Sequence, residues 1–255
     1  MTSNLLLSLR EAMREELNYV TGKEERVAVA FSGGVDSSLL AKMCKDLNKS
    51  VTLLTVGFAN SHDMIFSGII ASKMLFTHKK YEIQRDDFYE KLKVLERKIE
   101  CNMLSHIENC VAYFFIAQLA RKNDLRTVLT ANGLDELFCG YNQYRVVYAR
   151  GESAIMKLME SKIKNELSLL EKINRVASDQ GISIKSPFLT DRFVKYAYTI
   201  PLNHKITGND DLLRKHIIRR LAADIGIPQE SAMKPKKALQ YGSLIHKYFM
   251  KRNCH

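Results

Sequence analysis

The chain has 255 residues, 46% of them hydrophobic and 26% charged, enough to bury one large core plus a smaller appendage and too apolar for a disordered chain. Its net charge of +11 is unevenly placed: residues 151–255 carry 19 basic and 10 acidic side chains, residues 1–150 carry 20 and 18. Five cysteines without a Cys-x-x-Cys pair and seven scattered histidines exclude a disulfide scaffold, a zinc ribbon and an iron–sulfur site.

Residues 3–19 place Leu5, Leu9, Ala12, Met13 and Leu17 at helical spacing, which predicts an amphipathic helix rather than a cleavable leader. No window approaches the ~18 apolar residues of a membrane span, so a soluble, cytoplasmic protein is expected. Val27 to Phe31 is a short apolar run that reads as a strand buried on both faces. After Ser32-Gly33-Gly34 a helix is predicted to about Asn48. A second strand is expected over Val51–Val56, then a helix from about His62 to Leu75 capped by Ser61. Lys79–Ile83 reads as a weaker strand nearer an edge. Helices follow over about Asp86–Glu100 and Ser105–Lys122, then a fourth strand, Arg126–Thr130.

This order predicts an α/β fold with a doubly wound parallel sheet over residues 1–150. From Gly151 to residue 255 the pattern turns helical and basic, with one helix expected from Asn209 or Asp210 through Arg220. Ligands in such sheets bind beyond the carboxyl ends of the strands, where the strand order reverses.

Ser32-Gly33-Gly34-Val35-Asp36-Ser37 lies between a buried strand and a helix. Two glycines let the backbone approach a ligand, and the helix N-terminus presents N–H groups to a phosphate. Ser32 and Ser37 add hydroxyls, whereas Asp36 would repel a bare phosphate and therefore points to a bridging Mg²⁺. An ordinary turn of small residues is the bland alternative. The spacing is not that of a Walker loop or a dinucleotide fingerprint.

The hexapeptide resembles the signature of the PP-loop ATP pyrophosphatases. Three further segments narrow the resemblance to the synthetase domain of the asparagine synthetase family. They are Thr130-Ala131-Asn132-Gly133-Leu134-Asp135-Glu136-Leu137-Phe138-Cys139-Gly140-Tyr141, then Arg175 with Ser186-Pro187-Phe188-Leu189, and Lys234-Pro235-Lys236. The resemblance implies an ATP-dependent carbon–nitrogen ligase that forms AMP and pyrophosphate. It assigns Mg²⁺ to Asp36 and Asp135, ATP to Phe31, Ser32, Gly33, Gly34, Asp36, Ser37, Val56, Gly57, Thr130 and Ala131, and the catalytic roles to Lys236 and Asp135. The substrates implied are a small carboxylate, such as aspartate, and ammonia or another amine. Because the synthetase-like region begins near residue 5, free ammonia or a separate amidohydrolase subunit is the expected nitrogen source. Two departures stand out. Asn132 occupies the place of the family's catalytic glutamate, and an amide cannot act as a general base. Ser183-Ile184-Lys185 replaces a Glu-x-Arg segment, and lysine does not reproduce an arginine fork. Modification of tRNA by the basic C-terminal part, or a nucleotide-binding regulatory role, are the competing expectations.

Overall fold

The computed structural model describes residues 2–254. Within them the first apolar run is strand β1 (Arg26–Ala30), whose alternation feeds two separate cores. Val27 and Val29 pack on one side with Leu53 and Leu129, while Ala28 packs on the other with Leu54, Val56, Val128 and Ile184. Period-two side chains that are apolar on both faces require helices above and below the sheet.

Strands β2 (Ser50–Gly57), β3 (Thr77–Glu82), β4 (Thr127–Leu129) and β5 (Ser183–Lys185) complete an all-parallel sheet of order β3-β2-β1-β4-β5. This is the doubly wound α/β architecture expected from the sequence. β3 stands at one edge, as its polar sequence foretells. β5 at the other edge was not anticipated. Its three residues bury only Ile184, too little for a periodic signal. The mainly helical 151–255 part therefore also contributes a strand.

The first face carries α1 (Thr2–Thr21) and α2 (Val35–Asp46). α3 (His62–Lys73) follows β2, with Ser61 Oγ accepting from the Met64 amide as the predicted cap. α4 (Arg85–Ile99) and α5 (Leu104–Arg121) cover the second face. After β4 come the short α6 (Leu134–Leu137) and α7 (Asn142–Tyr148), then the 27-residue α8 (Glu152–Ser178). α8 joins both cores: Ile155, Met159 and Ile163 enter the first, Leu169, Ile173 and Val176 the second.

α9 (Asp191–Thr199) precedes the segment where sequence and structure differ most. The helix predicted from Asn209 or Asp210 is α10 (His216–Asp224). Asp211 Oδ1 accepts from the Leu213 and Arg214 amides and Oδ2 from Thr207, a local side-chain alternative to helical bonding. Arg214 and Lys215 then adopt left-handed φ of 45° and 54°. The chain closes with α11 (Gln229–Ala232), α12 (Leu239–Gly242) and α13 (Ile245–Met250). Among the described residues, no helix is long and apolar enough to cross a membrane.

Candidate functional site

The strand order reverses between β1 and β4, so the loops leaving these neighbouring strands lie side by side. The first is Ser32–Ser37. Gly33 has φ +76°, and an added Cβ would come within 2.9 Å of the Phe66 ring, so both conformation and space demand glycine. The loop is braced by its own hydroxyls. Ser37 Oγ accepts from the Ser32 amide at 3.4 Å and donates to the Gly34 carbonyl at 3.2 Å, and Ser32 Oγ accepts from the Gly34 amide at 3.4 Å. Gly34 is the N-cap of α2 and supplies no side-chain cap, which leaves the positive end of that helix facing the cleft.

The second loop brings Asp135 to the same place, and two lysines meet the carboxylates there. Lys215 Nζ donates to Asp36 Oδ2 at 2.6 Å and to Asp135 Oδ1 at 2.8 Å, while Lys236 Nζ donates to Asp135 Oδ2. Lys215 and Asp135 are buried, so each charge depends on the others for its stability. Burial alone would raise the Asp135 carboxyl, but the Lys215 and Lys236 ammonium groups outweigh it and hold the acid well below its usual range. Burial opposes charge on Lys236, yet Asp135 and then Asp36 overcome it and raise that lysine above the ordinary range. Asp36 Oδ1 is buried with no hydrogen-bond partner, an acceptor still open to a cation.

Backbone carbonyls fix the lysine-bearing loops. Arg219 of α10 donates to the carbonyls of Leu213 and Arg214 on one side and of Ala232 and Lys234 on the other. Arg214 reaches the Gly140 carbonyl at 3.1 Å. At Gly140 a Cβ would fall on the Asp135 carboxylate, which accounts for glycine there.

A cavity of about 310 Å³ opens over these groups. Of the residues expected to hold nucleotide or to act in catalysis, Phe31, Ser32, Asp36, Ser37, Val56, Thr130, Ala131, Asp135 and Lys236 line it. Gly34 lines an adjoining small recess with Lys215 and Lys234. Gly33 and Gly57 are not among its lining residues. Gly33 abuts Phe66, and Gly57 abuts Ser61, Met64 and Ser243.

The far part of the cavity is formed by Asn132, Glu136 and Tyr141 with Tyr113 of α5 and Lys162 and Glu166 of α8. Glu136 Oε2 accepts from the Gly133 amide at 3.0 Å and Oε1 from the Tyr141 hydroxyl at 2.5 Å. Asn132 Nδ2 donates to Glu166 Oε1. Burial, with Glu136 nearby, pushes the Glu166 carboxyl up to about 8.

Lys215 and Glu166 were not singled out from the sequence. Lys185, marked there as a departure, lies away from the cavity and pairs with Glu24 at 2.8 Å and the Val20 carbonyl at 3.0 Å. The Pro187–Leu189 turn is also a support: the Phe188 carbonyl packs directly against Gly133.

A family model described as asparagine synthase matches residues 8–168 and 150–253. A Methanocaldococcus jannaschii protein assigned as a glutamine-hydrolysing asparagine synthetase is 29% identical over 250 residues, covering 86% of this chain and 46% of its own length. The glutamine-hydrolysing asparagine synthetases of Gallus gallus and Homo sapiens are 24% and 26% identical, each match covering 94% of this chain and 43% of theirs. The chain thus spans about half the length of the curated relatives it matches. A solved structure described as a predicted subunit of tRNA methyltransferase from M. jannaschii aligns over 83% of this chain and 93% of its own, at 19% identity and a TM-score of 0.37.

Proposed function

Because the chain belongs to the asparagine synthase family, whose members use ATP, we propose that it activates a carboxylate, aspartate or a similar small acid, by adenylation and transfers the acyl group to ammonia or another amine. The observation that carries this reading is the convergence of Asp36, Asp135, Lys215 and Lys236 on a phosphate-type loop at the sheet's switch point. In the first step a carboxylate oxygen attacks the α-phosphorus and pyrophosphate leaves. The uncapped N-terminus of α2 and the Ser32–Ser37 loop hold the phosphates. Lys236 stabilises the charge that develops as the bond to pyrophosphate breaks. Val56, Thr130 and Ala131 line the nucleotide's part of the cavity.

Two carboxylates, one with an unpartnered buried oxygen, fit Mg²⁺, which takes one or two carboxylates together with phosphate oxygens and water. When bound by Asp36 and Asp135, the ion would neutralise phosphate charge. Lys215 keeps the two carboxylates together without it. Residues 1–150 would then hold the nucleotide, and residues 151–255 would close the acceptor side.

The test is a screen for pyrophosphate release from ATP with amino acids, ammonia and bulk tRNA, in the parent and in Asp36→Ala. Release that depends on a small carboxylate and Mg²⁺, and that is lost in Asp36→Ala with the fold intact, supports the reading. Release driven only by tRNA, or release unchanged in the variant, overturns it.

A further inference from the structure

Amide formation from an amine requires a proton acceptor, and the cavity offers few. Asn132 cannot take a proton. Asp36 and Asp135 are held by ammonium groups, and the one unpartnered oxygen of Asp36, Oδ1, is buried beside the phosphate-type loop. Glu136 has one oxygen on the Gly133 amide and the other on the Tyr141 hydroxyl. Asp63 is bonded to His62 at 3.1 Å and lies toward the Lys234 and Lys237 end. His106 turns Nε2 to Asn165 Oδ1 at 3.1 Å, and its Nδ1 is buried out of reach.

Glu166 differs from all of these. Its Oε1 accepts from Asn132 Nδ2, and among the described residues no hydrogen bond engages Oε2. Asn132 is itself fixed, because its Oδ1 accepts from the Thr130 hydroxyl and, at 3.3 Å, from the Tyr113 hydroxyl. The chain Tyr113–Thr130–Asn132–Glu166 therefore orients a carboxylate that faces the cavity and has one oxygen free. We propose that Glu166 is the proton acceptor for the incoming amine, with Asn132 as its positioning residue. The role rests on the adenylation reading above and adds the residue that completes its second half.

The step balances as follows. The amine lone pair forms the C–N bond at the acyl carbon of the acyl-adenylate, and the carbonyl π pair moves to oxygen. A proton passes from nitrogen to Glu166. The C–O bond to the phosphate then breaks, AMP leaves with the electron pair, and the carbonyl re-forms as an amide. The groups facing Glu166 suit a proton acceptor. Burial first, then Glu136 and Asp135 of α6, raise its affinity for a proton, and the Asn132 hydrogen bond and Lys236 oppose them. Tyr113 and Tyr141 are held neutral by burial. Lys162, one turn earlier on α8, sits over the Tyr141 ring at 5.0 Å and makes no ion pair with Glu166. Once ionised, a carboxylate so placed is a stronger base than an ordinary one, so amide formation should rise as pH approaches about 8.

The experiment uses aspartate, with ammonia or hydroxylamine as nucleophile, in the parent and Glu166→Gln. Aspartate-dependent exchange of pyrophosphate into ATP reads the first half-reaction, and amide or hydroxamate formation reads both. Ammonia-dependent amide formation in Glu166→Gln should fall relative to exchange by about 10²–10⁴-fold, the usual contribution of a positioned base. Hydroxylamine, a strong nucleophile already neutral near pH 7, should lose much less. A loss shared equally by exchange and both nucleophiles means a structural role and overturns the proposal. Absence of exchange with aspartate in the parent overturns the aspartate reading instead. In that case the same comparison, run with the carboxylate that does support pyrophosphate exchange in the parent, decides the residue's role: a loss confined to the ammonia-dependent step supports it, and a loss shared by exchange and both nucleophiles overturns it.

Discussion

Lys236 and Asn132 line the same cavity, but truncating them removes different things. Lys236 carries a charge held on Asp135 beside the Ser32–Ser37 loop, whereas Asn132 carries a hydrogen-bond relay. Charge stabilisation at a reacting phosphate is worth more than orientation of a neighbouring base, so Lys236→Ala should lower substrate-dependent pyrophosphate release by about 10²–10³-fold. Asn132→Ala should cost clearly less, and its loss should fall on amide formation rather than on release. Parallel assays of pyrophosphate and amide in the two variants check the order, and equal pyrophosphate losses would count against it. That Asp36, Asp135 and Lys236 share one cavity was legible in the sequence, Asp36 from its strand–turn–helix motif and Asp135 and Lys236 through the family resemblance. Lys215 was not: its partner Asp135 is 80 residues away in the chain, and only tertiary packing buries it. Glu166 left a weaker trace. It falls on the apolar stripe of α8, between Ile163 and Leu169, where an unpaired surface carboxylate has no reason to be.

Elements decide whether those side chains meet. α8 changes from one core to the other along its length, and Glu166 lies where the change occurs, which is why a carboxylate on a buried stripe opens into the cleft. β1 to β4 and α1 to α5 could be placed from the sequence; β4 is as short as β5, but all three of its residues, Thr127 to Leu129, are buried. β5 is too short for periodicity, and the N-terminal end of α10 is set by Asp211 bonding its own loop rather than by helix pattern. Arg219 is the element-level staple, because it ties the segment carrying Lys215 to the segment carrying Lys236 through four backbone carbonyls. Arg219→Met keeps much of the volume but strands these buried acceptors. It should destabilise the protein by at least about 2 kcal/mol, since charged hydrogen bonds are worth roughly that each and unmade ones cost more. Urea unfolding measures the loss. The same variant should lose activity at temperatures where it remains folded, because both lysines lose their mooring. A folded variant with parental stability and turnover would show that the loops hold without the staple.

Over the whole molecule, two carboxylates of the site act on stability in opposite senses and in two separate pH windows. Asp135 is held well below its ordinary range, so the stability it lends is present at neutral pH and is lost only as acid protonates it. Glu166 acts in the opposite sense. Its carboxyl is raised from 4.5 to about 8, so across that interval the folded chain holds a proton that the unfolded chain has released. Unfolding then releases a proton, and stability falls as pH rises from about 4.5 to about 8. Glutamine is isosteric, never ionises, and its Oε1 still accepts from Asn132, so Glu166→Gln removes this dependence while keeping the hydrogen bond. The variant should therefore be more stable than the parent at pH about 8, with the gap closing toward pH about 5. The slope between the two curves should not exceed about 1.4 kcal/mol per pH unit, the value for a single proton. Glu136 is also raised and interacts with Glu166, so the difference between parent and variant reports the pair rather than one carboxyl alone. Urea unfolding of parent and variant at the two pH values tests this directly, and a gap that does not change with pH would mean that Glu166 is ionised throughout. A variant that gains stability with pH while losing amide formation would show that the fold tolerates an unfavourable buried acid because the chemistry uses it.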